Sequence, residues 1–430
     1  MSKSNIDIRG WGAVTTLGWS ARESAKNLLS GNVRPADFCT SSHLTNRDLK
    51  AFEVSYTGNP LKKSWAMLDS ALTEAFSRAG LTASEIAESC LLVGTTGGLF
   101  IRNEYEFTKI VRQNPGKESP PIACRNRGPG EVADAIAQKY GIGGLIMTFS
   151  MACVSSSHAL VVAAQLLGQK KIRRAIVVGF EPLLNLTLQG FASLLLYDQE
   201  QCRPFCANRS GMQLGEAAAA VILEENDSLV KGKNNTELDS KGYRGGEEGA
   251  MQAYMSIRRG AADEANKDSR MKAVRYKFAG GYLFNDNNSL TSAGVDGELA
   301  KNVIGQTLTA AQISPAEIVA IKAHGTGTRD NDLSEGRGLV KVFGDNLPPV
   351  VSLKGAIGHA LGAAGAVETA LWISCLEEGM LPRSFGFTQI DPELGFAPSQ
   401  VNIPAMDGAY LFTFFGFGGT CTSYIIIKNP

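Results

Sequence analysis

Short apolar runs rich in β-branched residues alternate along the chain with longer segments in which apolar residues recur at helical spacing. The apolar runs predict buried strands at 6–8, 91–94, 145–148, 176–178, 218–223, 274–278, 318–323, 350–353, 410–415 and 423–427. The helical patterns cover 21–29, 155–167, 299–311 and a Gly- and Ala-rich segment that follows His359 and runs to 376. Strands that alternate with helices in this way predict a layered α/β architecture.

The second half of the chain repeats the alternation of predicted strands and helices found in the first half. The helix predicted at 155–167 is apolar on most faces, so we expect it to be buried on nearly all sides. Segment 231–271 differs, because Lys, Asn, Gly and Glu dominate it, and this composition favours a solvent-exposed excursion outside the core. We therefore predict two halves, 1–230 and 272–430, separated by a polar insertion at 231–271.

Composition narrows the class of protein. Of the 430 residues, 44% are apolar, and 42 Lys and Arg balance 42 Asp and Glu, so no global field recruits nucleic acid or an anionic membrane. No run approaches the roughly 18 apolar residues that span a bilayer, and the first residues do not resemble a signal peptide. The eight scattered cysteines form no CxxC or zinc-like spacing, which predicts a protein of the reducing cytosol without a metal site.

One cysteine occupies a position suited to chemistry. Cys153 follows a predicted strand and directly precedes the predicted buried helix, within the small-residue segment 151–157. Unpaired N–H groups at a helix N-terminus stabilise a thiolate, and small neighbours leave room for a substrate. A lone cysteine in an apolar stretch is also a common inert core residue, so this segment alone leaves both interpretations open.

Three glycine-rich loops contain further candidates. His324 opens the segment His-Gly-Thr-Gly-Thr at 324–328, and His359 lies in the Gly- and Ala-rich segment 358–365. Loops at strand ends are where α/β enzymes place catalytic groups. A third loop, 415–420, reads Phe-Gly-Phe-Gly-Gly-Thr between the last two predicted strands. Taken singly, each histidine suits a structural hydrogen bond equally well, and the third loop suits a tight hairpin.

In this order the elements resemble the β-ketoacyl synthase family of thiolase-fold condensing enzymes. The family pattern is an Ala-Cys nucleophile turn, a His-Gly-Thr-x-Thr loop, a Lys-x4-His-x2-Gly-Ala-Ala-Gly segment and a Gly-Phe-Gly-Gly-Thr loop, and all four are present. The resemblance is closest to stand-alone elongating synthases that use acyl carrier protein, and it breaks at 231–271. It implies a thiolase-like fold of two similar mixed α/β halves that form a layered α-β-α-β-α core.

The resemblance also implies a reaction, the decarboxylative Claisen condensation of an acyl thioester with a malonyl thioester. Cys153 would accept the acyl chain, which splits the reaction into two covalent half-steps. His324 and His359 would donate hydrogen bonds to the enolate that forms as carbon dioxide leaves. Backbone N–H groups of Cys153 and Phe417 would form the oxyanion hole, and Phe417 would gate the site.

Supporting residues follow from the same motifs. Lys354 matches the family's essential lysine, and by motif position Glu335 and Glu368 would be its carboxylate partners. The apolar neighbours of Glu368 indicate burial, and a buried carboxylate needs a charge partner. Thr326 and Thr328 match positions that hydrogen-bond the phosphopantetheine arm, although both would also be ordinary turn residues.

The implied partner is acyl carrier protein, whose phosphopantetheine arm presents both substrates, so no separate cofactor is expected. Lys62, Lys63 and Arg203 lie at positions that resemble the carrier-facing rim of the family, and otherwise they would be solvated surface charges. A dimer is expected, either of two copies or with a second ketosynthase-like subunit.

The chain departs from the family pattern at several places without losing a catalytic group. Met151, Arg329, Cys206, Cys421 and Ser289 stand where Thr, Pro, Asp, Asn and His are usual. These departures favour a specialised polyketide, polyene or lipid pathway over housekeeping fatty-acid synthesis. Two alternatives remain, a non-catalytic chain-length partner subunit and a ketosynthase that also cyclises. A non-catalytic partner typically lacks the cysteine, and a thiolase lacks the His-Gly-Thr-x-Thr loop.

Overall fold

The computed structural model describes residues 6–39, 49–113, 128–226, 275–285 and 294–430. The strands are β1 Ile6–Val14, β2 Asp37–Phe38, β3 Lys50–Ala51, β4 Cys90–Gly94, β5 Ile146–Phe149, β6 Arg174–Glu181, β7 Ala217–Glu225, β8 Tyr276–Asn285, β9 Ile318–Lys322, β10 Val350–Val351, β11 Met380–Leu381, β12 Ile403–Pro404, β13 Gly408–Phe415 and β14 Thr420–Lys428. The helices are α1 Ala21–Ser30, α2 Pro60–Ala79, α3 Ala83–Ala87, α4 Ile101–Gln113, α5 Glu131–Tyr140, α6 Ser155–Gly168, α7 Asn185–Ser193, α8 Glu298–Ala311, α9 Arg329–Phe343, α10 Lys354–Ile357 and α11 Ala364–Glu377.

Local sequence signals fix several helix ends. Ser20 caps α1 by accepting the Glu23 N–H, and Gly31 ends the helix in the left-handed conformation. Asn59 caps α2 in the same way, with Pro60 at its first position, where a missing N–H costs nothing. These caps explain why the predicted limits of α1 agree with the observed ones.

Two sets of five strands with the same order and the same relative directions make up the main sheet. One set runs β5-β4-β6-β7-β1 and the other runs β10-β9-β13-β14-β8. In each set the first three strands are parallel to one another, and each of the last two strands pairs antiparallel with the strand before it. Only two residue pairs, Ile6 with Phe278 and Asp7 with Lys277, join β1 to β8. The predicted fold of two similar mixed α/β halves is confirmed.

Helices and strands stack in five layers. The central helices α6 and α11 lie between the two sets of strands, and their side chains belong to one large core with residues of β1, β7, β13 and β14. Separate cores lie beneath α2 and α5 on one outer face and beneath α8 and α9 on the other. A Cβ added to Gly365 would lie 2.2 Å from the Ser157 nitrogen, so only glycine permits α11 to approach α6 this closely. The prediction that 155–167 is buried on nearly all sides is confirmed.

Two predicted strands differ from the observed ones. The strand predicted as buried at 145–148 corresponds to β5, an edge strand that is only half-buried. Ile146 is 38% exposed, and Leu145, directly before the strand, is 46% exposed. The strand predicted at 350–353 is only two residues long, because the chain turns directly into α10. The strand predicted at 274–278 continues to Asn285. The 231–271 insertion and Ser289 lie outside the described residues.

Within the described ranges, every helix is too short or too polar to cross a lipid bilayer.

Candidate active site

The turn that carries Cys153 is a strained connection between β5 and α6. Ala152 has a positive φ of 48°, which is unusual for a residue with a side chain. The Ser155 hydroxyl stabilises this turn by donating to the Ala152 carbonyl at 2.7 Å and accepting the Met151 N–H at 2.8 Å. Cys153 therefore occupies a fixed position one residue before the end of the turn, with α6 starting at Ser155.

Burial controls the acidity of the Cys153 thiol. The residue is 5% exposed, and burial raises the pKa of its thiol to about 12, while the Lys354 charge acts in the opposite direction. The sequence predicted thiolate stabilisation at the helix N-terminus, and here desolvation outweighs that effect. At neutral pH the thiol is protonated, so nucleophilic attack requires a neighbouring base.

Cys153, His324 and His359 line one pocket of about 220 Å³, together with Thr326, Thr328 and Phe417. The two imidazole rings lie nearly perpendicular, with centroids 5.2 Å apart. His324 follows β9, and His359 follows a turn at Gly358 after α10. The fold thus brings together residues that lie more than 200 positions apart in the sequence.

Lys354 fixes the protonation of His324. Its ammonium donates to the His324 carbonyl at 2.7 Å and lies 3.3 Å from His324 Nδ1. An ammonium has no acceptor capacity, so Nδ1 accepts and the ring proton resides on Nε2. Burial and the Lys354 charge lower the pKa of His324 and of His359 well below the ordinary value. Both imidazoles are therefore neutral and able to donate a hydrogen bond. Among the described residues, neither ring nitrogen of His359 has a hydrogen-bond partner.

Glu368 binds two buried lysines, one of which the sequence analysis missed. Its Oε1 accepts from Lys354 at 2.8 Å, and its Oε2 accepts from Lys322 at the end of β9. Burial alone would raise the pKa of Glu368, but the two lysines outweigh it and hold the pKa below its ordinary value. The predicted pairing of Lys354 with Glu368 is present in the structure. The available signal for Lys322 was a charged residue inside the otherwise apolar strand 318–323.

The prediction that Glu335 pairs with Lys354 is wrong. Its carboxylate accepts the N–H groups of His324 and Gly325, each at 2.7 Å, and the Thr413 hydroxyl at 2.5 Å. Because Glu335 lies on α9, it reaches the backbone of the histidine loop and not the lysine. Its function in the structure is to hold the His324 loop against β13.

Thr326 and Thr328 are buried at the pocket, with their hydroxyl oxygens 2.8 Å apart. Asp332, which the sequence analysis missed, accepts the N–H groups of Thr326 and Gly327 at 3.0 and 3.3 Å. This carboxylate on α9 holds the loop so that the threonines line the pocket. Their contact with a phosphopantetheine arm stays a prediction.

The glycine-rich loop 416–419 lies against the nucleophile turn. A Cβ added to Gly416 would lie 3.5 Å from the Cys153 nitrogen. Phe417 lines the pocket, and its ring stacks on Phe191 of α7 with centroids 5.6 Å apart. This placement agrees with an oxyanion and gating position for Phe417, and both roles stay predictions.

Glu181 at the end of β6 is a further buried carboxylate that the sequence analysis missed. It accepts N–H groups from Thr96, Gly97 and Gly362 at 2.7 to 3.0 Å. Burial raises its pKa to about 7. By holding Gly362, it connects the segment after His359 to the loop that follows β4.

The prediction that Lys63 faces a carrier is wrong. Lys63 is 3% exposed and pairs with Glu216 at 2.6 Å and Glu53 at 3.1 Å. The neighbouring Lys62 is exposed. Arg203 is mostly covered and pairs with Glu200 at 2.8 Å. Carrier contact by Lys62 and Arg203 stays a prediction.

Cys206 stands where Asp is usual, and its sulfur acts as a hydrogen-bond acceptor. Its thiol accepts the N–H groups of Thr388 and Gln389 at 3.3 and 3.2 Å. Burial opposes ionisation, but these donors outweigh it and lower the pKa of the thiol.

Arg329 borders the pocket and pairs with Glu393 at 2.7 Å. The described residues contain no cluster of three or more His, Cys, Asp or Glu side chains that could hold a metal ion.

Comparison with known proteins gives consistent matches. The model "Beta-ketoacyl synthase, N-terminal domain" matches residues 59–228, and "Beta-ketoacyl synthase, C-terminal domain" matches 277–388. A 3-oxoacyl-[acyl-carrier-protein] synthase 2 of Mycobacterium leprae is 26% identical over 78% of this chain and 73% of its own length. A putative mitochondrial 3-oxoacyl-[acyl-carrier-protein] synthase of Schizosaccharomyces pombe is 29% identical over 98% and 99%. The solved structure titled "The ishigamide ketosynthase/chain length factor" aligns over 100% of both chains, with a TM-score of 0.78 and 21% identity.

Proposed function

The chain belongs to the β-ketoacyl synthase family, and from this premise we propose that it condenses an acyl group held on Cys153 with a malonyl unit. The product is a 3-oxoacyl thioester on acyl carrier protein, in fatty-acid or polyketide biosynthesis. One observation supports this most directly: Cys153, His324 and His359 line the same pocket, where burial favours the neutral form of both imidazoles. The names of the curated relatives include the carrier protein.

In the first half-reaction the Cys153 sulfur attacks the carbonyl of an acyl-carrier thioester. The thiol proton passes to a neutral imidazole of the pocket, and the bond to the carrier sulfur breaks. The departing thiolate takes up that proton and leaves as the carrier thiol. We assign the temporary base to His359, because its ring nitrogens have no hydrogen-bond partner among the described residues. His324 is not available for this step, since its Nε2 holds the ring proton and its Nδ1 accepts from Lys354.

In the second half-reaction the malonyl thioester carbonyl accepts hydrogen bonds from His324 Nε2 and from His359. The bond to the carboxylate carbon breaks, carbon dioxide leaves, and the electron pair remains as an enolate. The enolate carbon attacks the acyl carbonyl, the bond from that carbon to the Cys153 sulfur breaks, and the departing thiolate takes up one proton from solvent. Interactions that strengthen as the enolate forms lower the barrier to decarboxylation. Because the departing carboxylate supplies the electron pair, the step needs no redox cofactor.

Neither alternative function is favoured. A non-catalytic chain-length subunit has no use for a cysteine, two neutral imidazoles and a buried lysine in one pocket. A ketosynthase that also cyclises would use the same groups, and the mass of its product would distinguish it.

We propose a specialised pathway because of the unusual residues at 151, 206, 329 and 421. We also propose the cytosol as the compartment, noting that the S. pombe relative is named mitochondrial.

The purified protein should convert acyl-carrier and malonyl-carrier into 3-oxoacyl-carrier, with one carbon dioxide released per product.

Lys62→Glu should raise KM for the carrier by up to about fivefold and leave kcat unchanged, because it reverses an exposed rim charge. The effect should shrink as salt is added. Steady-state kinetics at two ionic strengths measure both quantities.

The matched control is Lys301→Glu, an exposed lysine on the outer helix α8. It should leave carrier KM unchanged. Equal effects of the two variants would contradict the proposed docking side, and an absence of 3-oxoacyl product with every acyl chain length tested would contradict the function itself.

We further propose that the chain pairs with a second ketosynthase-like subunit, identical or related, through β5. This strand lies at one edge of the sheet and exposes Leu145 and Ile146, whereas the opposite edge strand β10 is buried. An uncovered apolar edge strand is a pairing surface. Analytical ultracentrifugation should give twice the 45.8 kDa chain mass for a homodimer.

Ile146→Asp should shift this protein to the monomer, because it places a charge in the paired edge. Val401→Asp is the control, since Val401 is 67% exposed and lies away from that strand. A dimer that survives Ile146→Asp would show that β5 is not the interface.

A further inference from the structure

A second buried lysine lies beneath the histidines, and nothing in the reaction described above gives it a role. The ammonium of Lys322 contacts Glu368 Oε2, donates to the Thr413 carbonyl at 3.2 Å and lies 3.4 Å from the centroid of the Phe414 ring. Its exposed fraction is 0%. A buried ammonium is costly unless it is paired, and here its partner is a carboxylate that Lys354 already neutralises.

The charges in this cluster do not cancel around Glu368. Lys322 and Lys354 bind the two oxygens of one carboxylate, which leaves one positive charge in excess. A second buried carboxylate, Glu335, also interacts with Lys322 but accepts from the His324 backbone and Thr413, and burial raises its pKa to about 7. The excess positive charge is strongest under acidic conditions, when Glu335 takes up a proton.

We propose that Lys322 is a positioning residue whose charge keeps His324 and His359 in the neutral form that donates hydrogen bonds to the enolate. This inference rests on the proposed function. Lys322 also occupies the second oxygen of Glu368, which leaves the first oxygen for Lys354 and so fixes the contact of Lys354 with His324.

The groups that face the two imidazoles define the electrostatics. They are Lys354, which contacts His324, Glu368 and Lys322, which form the ion pairs next to it, Glu335 at the His324 backbone and Cys153 in the same pocket. After burial, the Lys354 charge contributes most to lowering the pKa of each histidine, and the Lys322 charge adds a smaller contribution to both. Burial lowers the pKa of Lys322 to about 8, so its charge is present below that pH, where an imidazole would otherwise protonate.

Two variants remove the charge. Lys322→Met keeps the length of the side chain, and Lys322→Gln keeps a hydrogen-bond donor. In both, the pKa values of His324 and His359 should rise, because a nearby positive charge is lost, and the acidic limb of malonyl decarboxylation should move to higher pH by the same amount. The limb moves upward because an imidazole is neutral only above its pKa. Phe414→Leu is the matched control: it perturbs the same cluster without changing charge, and should lower the rate equally at every pH.

A second readout is independent of turnover. The chain has four histidines, so the imidazole carbon-bound protons can be followed by NMR during a pH titration. Two histidine resonances should titrate at higher pH in Lys322→Met and Lys322→Gln than in the wild type. A folded variant whose histidine titrations and acidic limb coincide with those of the wild type would overturn the proposal. Shifted titrations in a protein without condensing activity would instead contradict the proposed function and leave the role of Lys322 intact.

Discussion

Replacing Cys153 by alanine should reduce condensation to the background rate while carbon dioxide release from malonyl-carrier continues. The reason is that the residues of the pocket have different roles. The Cys153 thiol forms the acyl thioester, whereas the two imidazoles, with Lys354 next to them, act on the malonyl carbonyl. Loss of the nucleophile removes the acyl acceptor and leaves the hydrogen-bond donors in place. The measurement follows 3-oxoacyl-carrier and carbon dioxide in the same reaction.

Cys90→Ala serves as the control, because Cys90 is a buried thiol of β4 that does not line the pocket. It should keep both activities. If Cys153→Ala still makes the 3-oxoacyl product, or if Cys90→Ala loses it while remaining folded, Cys153 is not the acyl carrier of this protein.

His324→Ala or His359→Ala should lower malonyl decarboxylation at least about a hundredfold, which corresponds to about 2.7 kcal/mol of transition-state stabilisation. Each change removes one donor to the enolate oxygen. Loading of Cys153 should fall much less in His324→Ala, because His359 remains to accept the thiol proton. Single-turnover acylation and carbon dioxide release, measured separately, test this division of labour.

The matched control for the histidines is His158→Gln. His158 is buried on α6 and bonds to Thr422 on β14, and it does not line the pocket. It should change thermal stability more than either half-reaction. The assignment of roles would be wrong if acyl transfer fell as far as decarboxylation in the His324 variant.

The sequence predicted the catalytic residues well because each motif combines a reactive residue with the backbone that presents it. Cys153 lies before α6, and His324 lies after β9, as the apolar runs and small residues indicated. The four motifs converge in one pocket because the two halves of the chain repeat one strand order. Neither feature depends on side-chain pairing at long range.

Long-range pairing is what the sequence could not supply. Lys322 and Glu368 are 46 positions apart, and no local pattern connects them. Glu335 was assigned to Lys354 by motif position, yet its place on α9 directs it to the His324 loop. Lys63 belongs to a charged segment that is typical of a surface, but Glu216, 153 positions later, draws it into the core.

Exposure at sheet edges escaped prediction for a similar reason. An apolar run such as 145–148 indicates a strand, and burial depends on where that strand lies in the sheet. Because β5 is at the edge, its apolar side chains are only partly covered within one chain. The acidity of Cys153 was misjudged because desolvation depends on the complete pocket and outweighs the local helix terminus.

The most direct test of the account is to locate the acyl group after the protein is mixed with acyl-carrier alone. Intact-protein mass spectrometry should show one acyl addition per chain, and peptide mapping should place it on Cys153. Malonyl-carrier added next should remove that mass and release a stoichiometric amount of 3-oxoacyl-carrier. An acyl group mapped to Cys202, Cys206 or Cys421, or an acyl-Cys153 that malonyl-carrier does not discharge, would contradict the central claim.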